Sequence, residues 1–371
     1  MNLDALFNMH KVKFSKMEVL FKDVDVQSVI KKVNIFINIE AIFDHFHNPY
    51  MEEQITVLDD EGIKDLYANI ISNTINLAAH YRLFFTKNKI ASNIVFYVNE
   101  PNEYVKQNNC THISKYRKKY NKDYTDNVKY ELINGVMKQC YQTIARICEY
   151  IDGVYFIRSD RVESSLIPLL MTTEKMLDGH LDLMISKDIY DLQYVNNKFM
   201  IIYPLKDESK ILTEQNVFEV FREKEELTVD YDLPSYLLSF ILSVIGNKRR
   251  GIEKMRGMGL NSIYKALSKL FKSMDIGADE YVSFEQLALA IKEDPQNPSG
   301  NREHIVSNYM CTDLDRQLAM VSSPQKTNIE KQIIDRYNEQ TLMDLNERYF
   351  ETCPINIIEL NNYSPRKKSV F

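Results

Sequence analysis

Short apolar bursts set the rhythm of the first two thirds of the chain. β-Branched and aromatic residues cluster at 33–37 (V-N-I-F-I), 94–98 (I-V-F-Y-V), 154–157 (V-Y-F-I), 183–185 (L-M-I) and 198–204 (K-F-M-I-I-Y-P). Such runs, bounded by polar residues, predict strands. Between the second and third, apolar positions across 133–148 recur at helical spacing and predict an amphipathic helix. Strands alternating with helices over about 33–205 predict an α/β fold with a largely parallel sheet. The next stretch, about 206–232, is acidic and charged and is expected to be a surface excursion. Pro234 then opens a helix with an apolar run at 236–245, and Leu260, Ile263, Leu267 and Leu270 carry a second helical pattern. From Asp275 to about Glu359 the pattern is helical and charged, broken at 294–301 by the loop D-P-Q-N-P-S-G-N. At the amino end Leu3, Leu6, Phe7, Val19, Leu20 and Phe21 are apolar enough to dock on something, while the basic tail 364–369 is expected to fray.

Bulk properties narrow the class. With 371 residues, 44% hydrophobic and 26% charged, the chain has room for one α/β domain of about 270 residues plus a smaller helical addition. Cys110, Cys140, Cys148, Cys311 and Cys353 are scattered, without a C-x-x-C or a Cys/His cluster, so reduced thiols are expected. His45 and His47 form an H-x-H with no further ligand group nearby and are read as surface or partly buried residues. No apolar run reaches the roughly 20 residues that span a bilayer, and the amino terminus lacks a signal-peptide pattern, so no membrane role is expected.

Two basic stretches change the picture. Between Gly246 and Lys272 stand Lys248, Arg249, Arg250, Lys254, Arg256, Lys265, Lys269 and Lys272 against the single acid Glu253, a local charge of +7 in a chain of net charge −6. Gly257 and Gly259, spaced G-x-G ahead of the helical pattern, let the backbone turn tightly and leave N–H groups at a helix start, where a phosphate can approach. The other reading of this segment is a glycine-punctuated turn on a solvated face. The second stretch, 115–122, interleaves Lys115, Arg117, Lys118, Lys119 and Lys122 with Tyr116 and Tyr120. Aromatics stack on bases and cations follow phosphates, although an exposed charged loop has the same composition.

The segment 246–259 resembles the helix-three-turn-helix of the flap endonuclease and 5'-3' exonuclease family of PIN-like proteins, whose pattern runs G-D-x-S-D-N-I-x-G-x-x-G-I-G. Gly246, Ile252, Gly257 and Gly259 stand in register with it, and Lys254 replaces the middle glycine. The family's other landmarks follow in order. A first strand leads to Asn38 and a second to Asn99. Glu163-Ser164-Ser165-Leu166 stands where the family reads E-A-D-D. The segment 186–193 (S-K-D-I-Y-D-L-Q) stands where the family reads S-x-D-x-D-x-x-Q. The likeness spans about 33–270 and is greatest to the phage-type members, called RNase H in T-even phages.

This resemblance implies an α/β PIN-like fold: a central, mostly parallel sheet flanked by helices, with a helix-three-turn-helix and a C-terminal helical extension. The expected divisions are an N-terminal extension at 1–32, a 5'-nuclease-type domain at 33–275 with the helix-three-turn-helix at about 236–272, and a helical region with a basic tail at 276–371. It also implies where the chemistry has changed. Hydrolysis in this family needs two divalent cations about 4 Å apart, held by converging carboxylates. Of the acid positions that can be placed, only Glu163 and Asp188 remain acidic. Asn38, Asn99, Ser165, Leu166, Tyr190, Asn247 and Arg250 occupy the others. An amide keeps the shape of a carboxylate without its charge, and a leucine or an arginine opposes cation binding. No catalytic residue and no metal site are therefore expected; a single weak Mg²⁺, or a K⁺ at the helix-three-turn-helix, is the most the remaining groups would hold. Asp188 could equally be a helix N-cap, and Asp191, Asp160 or Glu40 could rebuild a metal site.

The function so implied is a catalytically inactive phage 5'-nuclease-like protein that binds nucleic acid or acts as a scaffold subunit in phage replication, transcription or virion assembly. Its contacts with single-stranded, forked or duplex DNA would come from Lys115, Arg117, Lys118, Lys119, Lys122, Lys248, Arg249, Arg256, Gly257, Gly259 and Lys265. Other phage proteins would be its partners, in the cytoplasm of the infected host or in the virion. Two alternatives stand beside it: an active metal-dependent nuclease with a reshaped site, and a purely structural interaction subunit.

Overall fold

The computed structural model describes residues 30–39, 60–99, 128–159, 162–186, 188–204, 209–220, 233–246, 252, 254–255, 258–274, 282–292, 302–333 and 339–350. Six strands form one sheet: β1 (Lys32–Asn38), β2 (Ala91–Asn99), β3 (Val154–Ser159), β4 (Leu181–Ile185), β5 (Phe199–Pro204) and β6 (Ser209–Leu212). Their order is β3-β2-β1-β4-β5-β6. All pairings are parallel except the last, in which β6 runs antiparallel to β5. The five strands of the parallel part are those that the apolar runs predict. The sixth corrects the reading of about 206–232 as a surface excursion, because Ser209–Leu212 joins the sheet and Val217, Phe218 and Val220 are buried. Four residues with only Ile211 and Leu212 as apolar content are too short a signal against an acidic background.

Both faces of the sheet are covered, as a parallel sheet requires. Along β1 the side chains alternate, so Val33, Ile35 and Ile37 enter one core and Phe36 the other. The first core lies under α1 (Asp60–Lys87) and α2 (Val128–Cys148). Arg82 of α1, wholly buried, donates from Nη2 to the carbonyls of Ser92, Asp152 and Gly153 at 3.2, 2.8 and 2.9 Å, and so ties α1 to the starts of β2 and β3. The opposite core takes α3 (Ile167–Thr173), α4 (Leu238–Ile245), α5 (Leu260–Met274), α6 (Phe284–Lys292), α7 (Arg302–Thr312), α8 (Leu314–Ala319) and α9 (Ser323–Glu330); α10 (Glu339–Phe350) follows them in the chain. Phe284 stacks on Tyr309 and meets Phe240 edge-on, and buried Asn308 donates to the Ser243 carbonyl at 2.8 Å. Side chains of α6 to α9 therefore share one core with Phe36 and Val95 of the sheet.

A polar row crosses the middle of this sheet. Asn93, Asn34 and Asp182 are register partners on β2, β1 and β4. Asn93 donates to Asn34 Oδ1 and Asn34 donates to Asp182 Oδ1, both at 2.8 Å, and all three are buried. A one-residue slip of any of these strands would turn its amide or carboxyl to the other face, so the row specifies register. A Cβ at Gly179, just before β4, would lie 2.3 Å from Asn34 Nδ2, so a side chain there would displace the Asn34 amide from the row. Burial pushes the Asp182 carboxyl above its ordinary pKa; the hydrogen bond from Asn34 opposes this in part.

Candidate functional site

Five parallel strands bring their carboxyl ends to one edge. In the order found, β1 lies between β2 and β4, and the chain leaves it on opposite sides, so the crevice where open α/β sheets bind ligands falls between β1 and β4. The sequence-predicted acid positions gather at this edge. Half-buried Asn38 ends β1, Asn99 ends β2 in register with Ser159 of β3, and Ser186 follows β4.

After β3 the chain enters a 3₁₀ turn, Ser164–Leu166, and passes at once into α3, with Pro168 in the first turn where no N–H is needed. Glu163 precedes this turn in extended conformation, and its carbonyl accepts from the Leu166 N–H at 2.8 Å. Glu163, Ser164 and Ser165 are buried, and Leu166 points into the apolar core. The segment after β4 folds more tightly. Ser186 Oγ accepts from the Asp188 N–H at 3.0 Å and donates to Asp191 Oδ2 at 2.5 Å, while the Asp191 N–H bonds the Asp188 carbonyl at 3.0 Å. Asp188 caps the 3₁₀ helix Ile189–Tyr194, its Oδ1 accepting from the Tyr190 N–H at 3.0 Å. Of the two readings of Asp188, the N-cap is the one the geometry realises. Burial, and then the charge of Asp188, push the phenol of Tyr203 on β5 above its ordinary pKa.

Tyr190 does not face the crevice as a metal ligand would. Its ring is buried, its hydroxyl donates to the Cys311 carbonyl at 3.1 Å, and it accepts from Gln317 Nε2 at 2.7 Å. Gln317 also donates to the Cys311 carbonyl at 2.6 Å. Tyr190 thus anchors α7 and α8, and α8 packs on the turn that carries Ser165 and Leu166.

Among the described residues, the carboxylates at this edge also serve the turn that follows β4. One oxygen of Asp188 is engaged by a backbone N–H and one of Asp191 by a hydroxyl, and Leu166 and Tyr190 are buried in the apolar core. Among the described residues, no group of three or more His, Cys, Asp or Glu side chains is placed to hold a metal ion. Asp191, weighed in the sequence as a replacement ligand, is 2% exposed and bonded to Ser186.

The basic segment is described in part. Gly246 ends α4 with φ 68°, a conformation that favours glycine, and Met255 returns to it through a 3.0 Å bond from its N–H to the Val244 carbonyl. Ile252, Met255 and Met258 are buried beneath the turn, and Lys254 is exposed. The Gly259 carbonyl accepts from the N–H groups of Ser262 and Ile263 at the start of α5. Along α5, Leu260, Ile263, Tyr264, Leu267 and Phe271 face the core, while Lys265, Lys269 and Lys272 face solvent. Lys115, Arg117, Lys118, Lys119, Lys122, Asn247, Lys248, Arg249, Arg250, Arg256, Gly257, Glu40, Asp160, His45, His47 and the side chain of Asn99 lie outside the described residues. Cys140 and Cys148 are free and buried, but Cys311 is disulfide-bonded, to a cysteine outside the described residues, which corrects the expectation of five reduced thiols. No described helix is long and apolar enough to cross a membrane.

A mostly parallel six-stranded sheet with helices on both faces and its crevice between β1 and β4 defines an α/β protein of PIN-like architecture. Among solved structures, the zinc-bound 5'-exonuclease of bacteriophage T5 has this fold, at a TM-score of 0.50 and 11% identity, over 81% of this chain and 97% of that one. A second similar structure is a pseudo-enzyme–product complex of the bacteriophage T5 flap endonuclease with DNA and metal ions, at a TM-score of 0.47 and 10% identity, over 86% and 98% of the two chains. No family model matches the chain, and no curated protein matches it.

Proposed function

We propose that this chain is a catalytically inactive 5'-nuclease-like protein of a phage, acting as a nucleic-acid-binding or scaffold subunit in replication, transcription or virion assembly. The observation that carries the reading is Tyr190. At a position where the family's chemistry needs a carboxylate, a buried phenol holds the C-terminal helices in place, so the site has been built into the core. Leu166, buried in the same core, supports it. The exposed lysines of α5, in line with the +7 stretch, supply a surface for phosphates.

A 5'-flap DNA incubated with the purified full chain and Mg²⁺ or Mn²⁺ tests the loss of catalysis. It is expected to stay intact. Cleavage that disappears in Glu163→Ala or Asp188→Ala would overturn the reading in favour of a reshaped nuclease site. Fluorescence anisotropy with forked DNA tests binding. If about six phosphates are neutralised, affinity falls roughly 10³-fold between 50 and 200 mM salt. Undetectable or salt-independent affinity would leave the purely structural role.

A further inference from the structure

We infer that the outer edge of β3 is an acceptor for an extended peptide segment of a partner protein, which adds to the sheet as a further strand. β3 is the terminal strand, and it uses alternate residues to pair with β2: the Ile94 N–H bonds the Gly153 carbonyl, and the register Ile94↔Val154 carries that alternation along the strand. Tyr155 and Ile157 therefore turn their backbone groups inward, and Val154, Phe156 and Arg158 turn theirs outward. One outward pair is already taken in the manner of a strand. The Arg158 N–H donates to Gln332 Oε1 at 2.8 Å, and Gln332 Nε2 donates to the Arg158 carbonyl at 2.9 Å. A primary amide has the donor and acceptor of a peptide group, so Gln332 occupies the place of one residue of a neighbouring strand. The N–H and carbonyl of Phe156 and the carbonyl of Val154, one step along, have no such partner among the described residues.

What lies beside those groups is a recess of about 260 Å³, lined by Ala145, Cys148 and Glu149 at the end of α2, by Phe156 and Arg158, and by Lys331 and Gln332 after α9. Two helix ends flank the slot, and the occupant we assign to it is a single extended chain. Lys331 is exposed on the lining, and the segment that fits carries an acidic side chain opposite it. Backbone bonds to a free edge supply affinity, and the recess beside it supplies specificity for alternate side chains. Unprotected edges invite aggregation, and this one is narrowed by Gln332 and the flanking helix ends to a short opening.

Hydrogen–deuterium exchange of the free full chain gives the first test. The Phe156 amide is expected to exchange at least tenfold faster than those of Tyr155 and Ile157, and a protected Phe156 amide would mean that the edge is already covered and overturn the inference. A library of random dodecapeptides displayed on phage is then selected against the full chain. The expected binders protect the Phe156 amide, lose at least tenfold in affinity when their central amide is N-methylated, and lose as much with Ala145→Glu, which fills the recess and opposes an acid. Gln332→Ala, by freeing the Arg158 pair, is expected to tighten them severalfold. Selection that yields no peptide sensitive to Ala145→Glu would overturn the inference. Ala145→Glu is expected to leave salt-dependent DNA binding and the flap assay unchanged, so this test fails independently of the proposed function.

Discussion

Tyr190→Asp, which installs the carboxylate that the resemblance expects at this position, should damage the protein without conferring flap cleavage. The tyrosine is 1% exposed, and its ring belongs to the core that unites the sheet with α4 and α7. Deleting a buried aromatic ring costs roughly 3–5 kcal/mol, transfer and cavity together. Its hydroxyl joins the Cys311 carbonyl and Gln317 Nε2, and each bond is worth about 1 kcal/mol net. The new carboxylate would also sit near Asp188 and Asp191, with no cation among the contacts described there, which adds the penalty of an unpaired buried charge. A loss of roughly 5 kcal/mol or more is a large share of the about 5–15 kcal/mol that holds a domain together. Tyr190→Phe isolates the hydroxyl: Gln317 keeps the Cys311 carbonyl at 2.6 Å, and the expected cost is about 1–2 kcal/mol. Urea titrations followed by circular dichroism, compared at equal slope, read both variants. The reasoning is refuted if Tyr190→Asp unfolds within about 1 kcal/mol of the parent and gains flap cleavage with Mg²⁺.

The other predictions concern the row across the sheet and the basic face. The Asp182 pKa is raised by burial, so the folded state holds the proton more tightly than the unfolded one; stability should decline as pH rises from the ordinary value of 3.8 through the folded value. Asp182→Asn keeps an acceptor for Asn34, and thermal melts from pH 3 to 8 should show that this slope flattens. Gly179→Ala pushes a methyl against Asn34 Nδ2 and breaks the row, at an expected cost of about 1–3 kcal/mol for the buried polar groups left unpaired; an unchanged urea midpoint would show that the loop simply moves aside. Exchanging Lys254, Lys265 and Lys269 for glutamate should reduce the salt slope of DNA binding by about 3 if each lysine meets one phosphate. An unaltered slope would remove α5 from the interface.

Particular elements show how far local pattern reached. The parallel strands were readable because strands buried on both faces must be continuously apolar, as Ile94 to Val98 are. α5 was readable from Leu260, Ile263 and Leu267, since a helix with one wet face repeats its apolar residues at a fixed interval. β6 escaped because four residues carry too little pattern. The residue types at the positions the resemblance singles out were readable too. What those side chains do was not readable. Asp188 could be a ligand or a cap until the backbone N–H of Tyr190 was seen on its carboxylate.

By itself, then, the order of residues determined the class of fold, the faces of its main helices and which groups are chemically able to bind a cation, because these depend on side-chain chemistry and spacing of a few residues. Only the tertiary structure decided that Asn93, Asn34 and Asp182 form a row, that Tyr190 reaches Cys311 and Gln317, and that Gln332 sits on the edge of β3. Those contacts join residues 59 to 174 positions apart, and separations of that size leave no local trace: they are selected by the register of the sheet and the packing of the helices upon it.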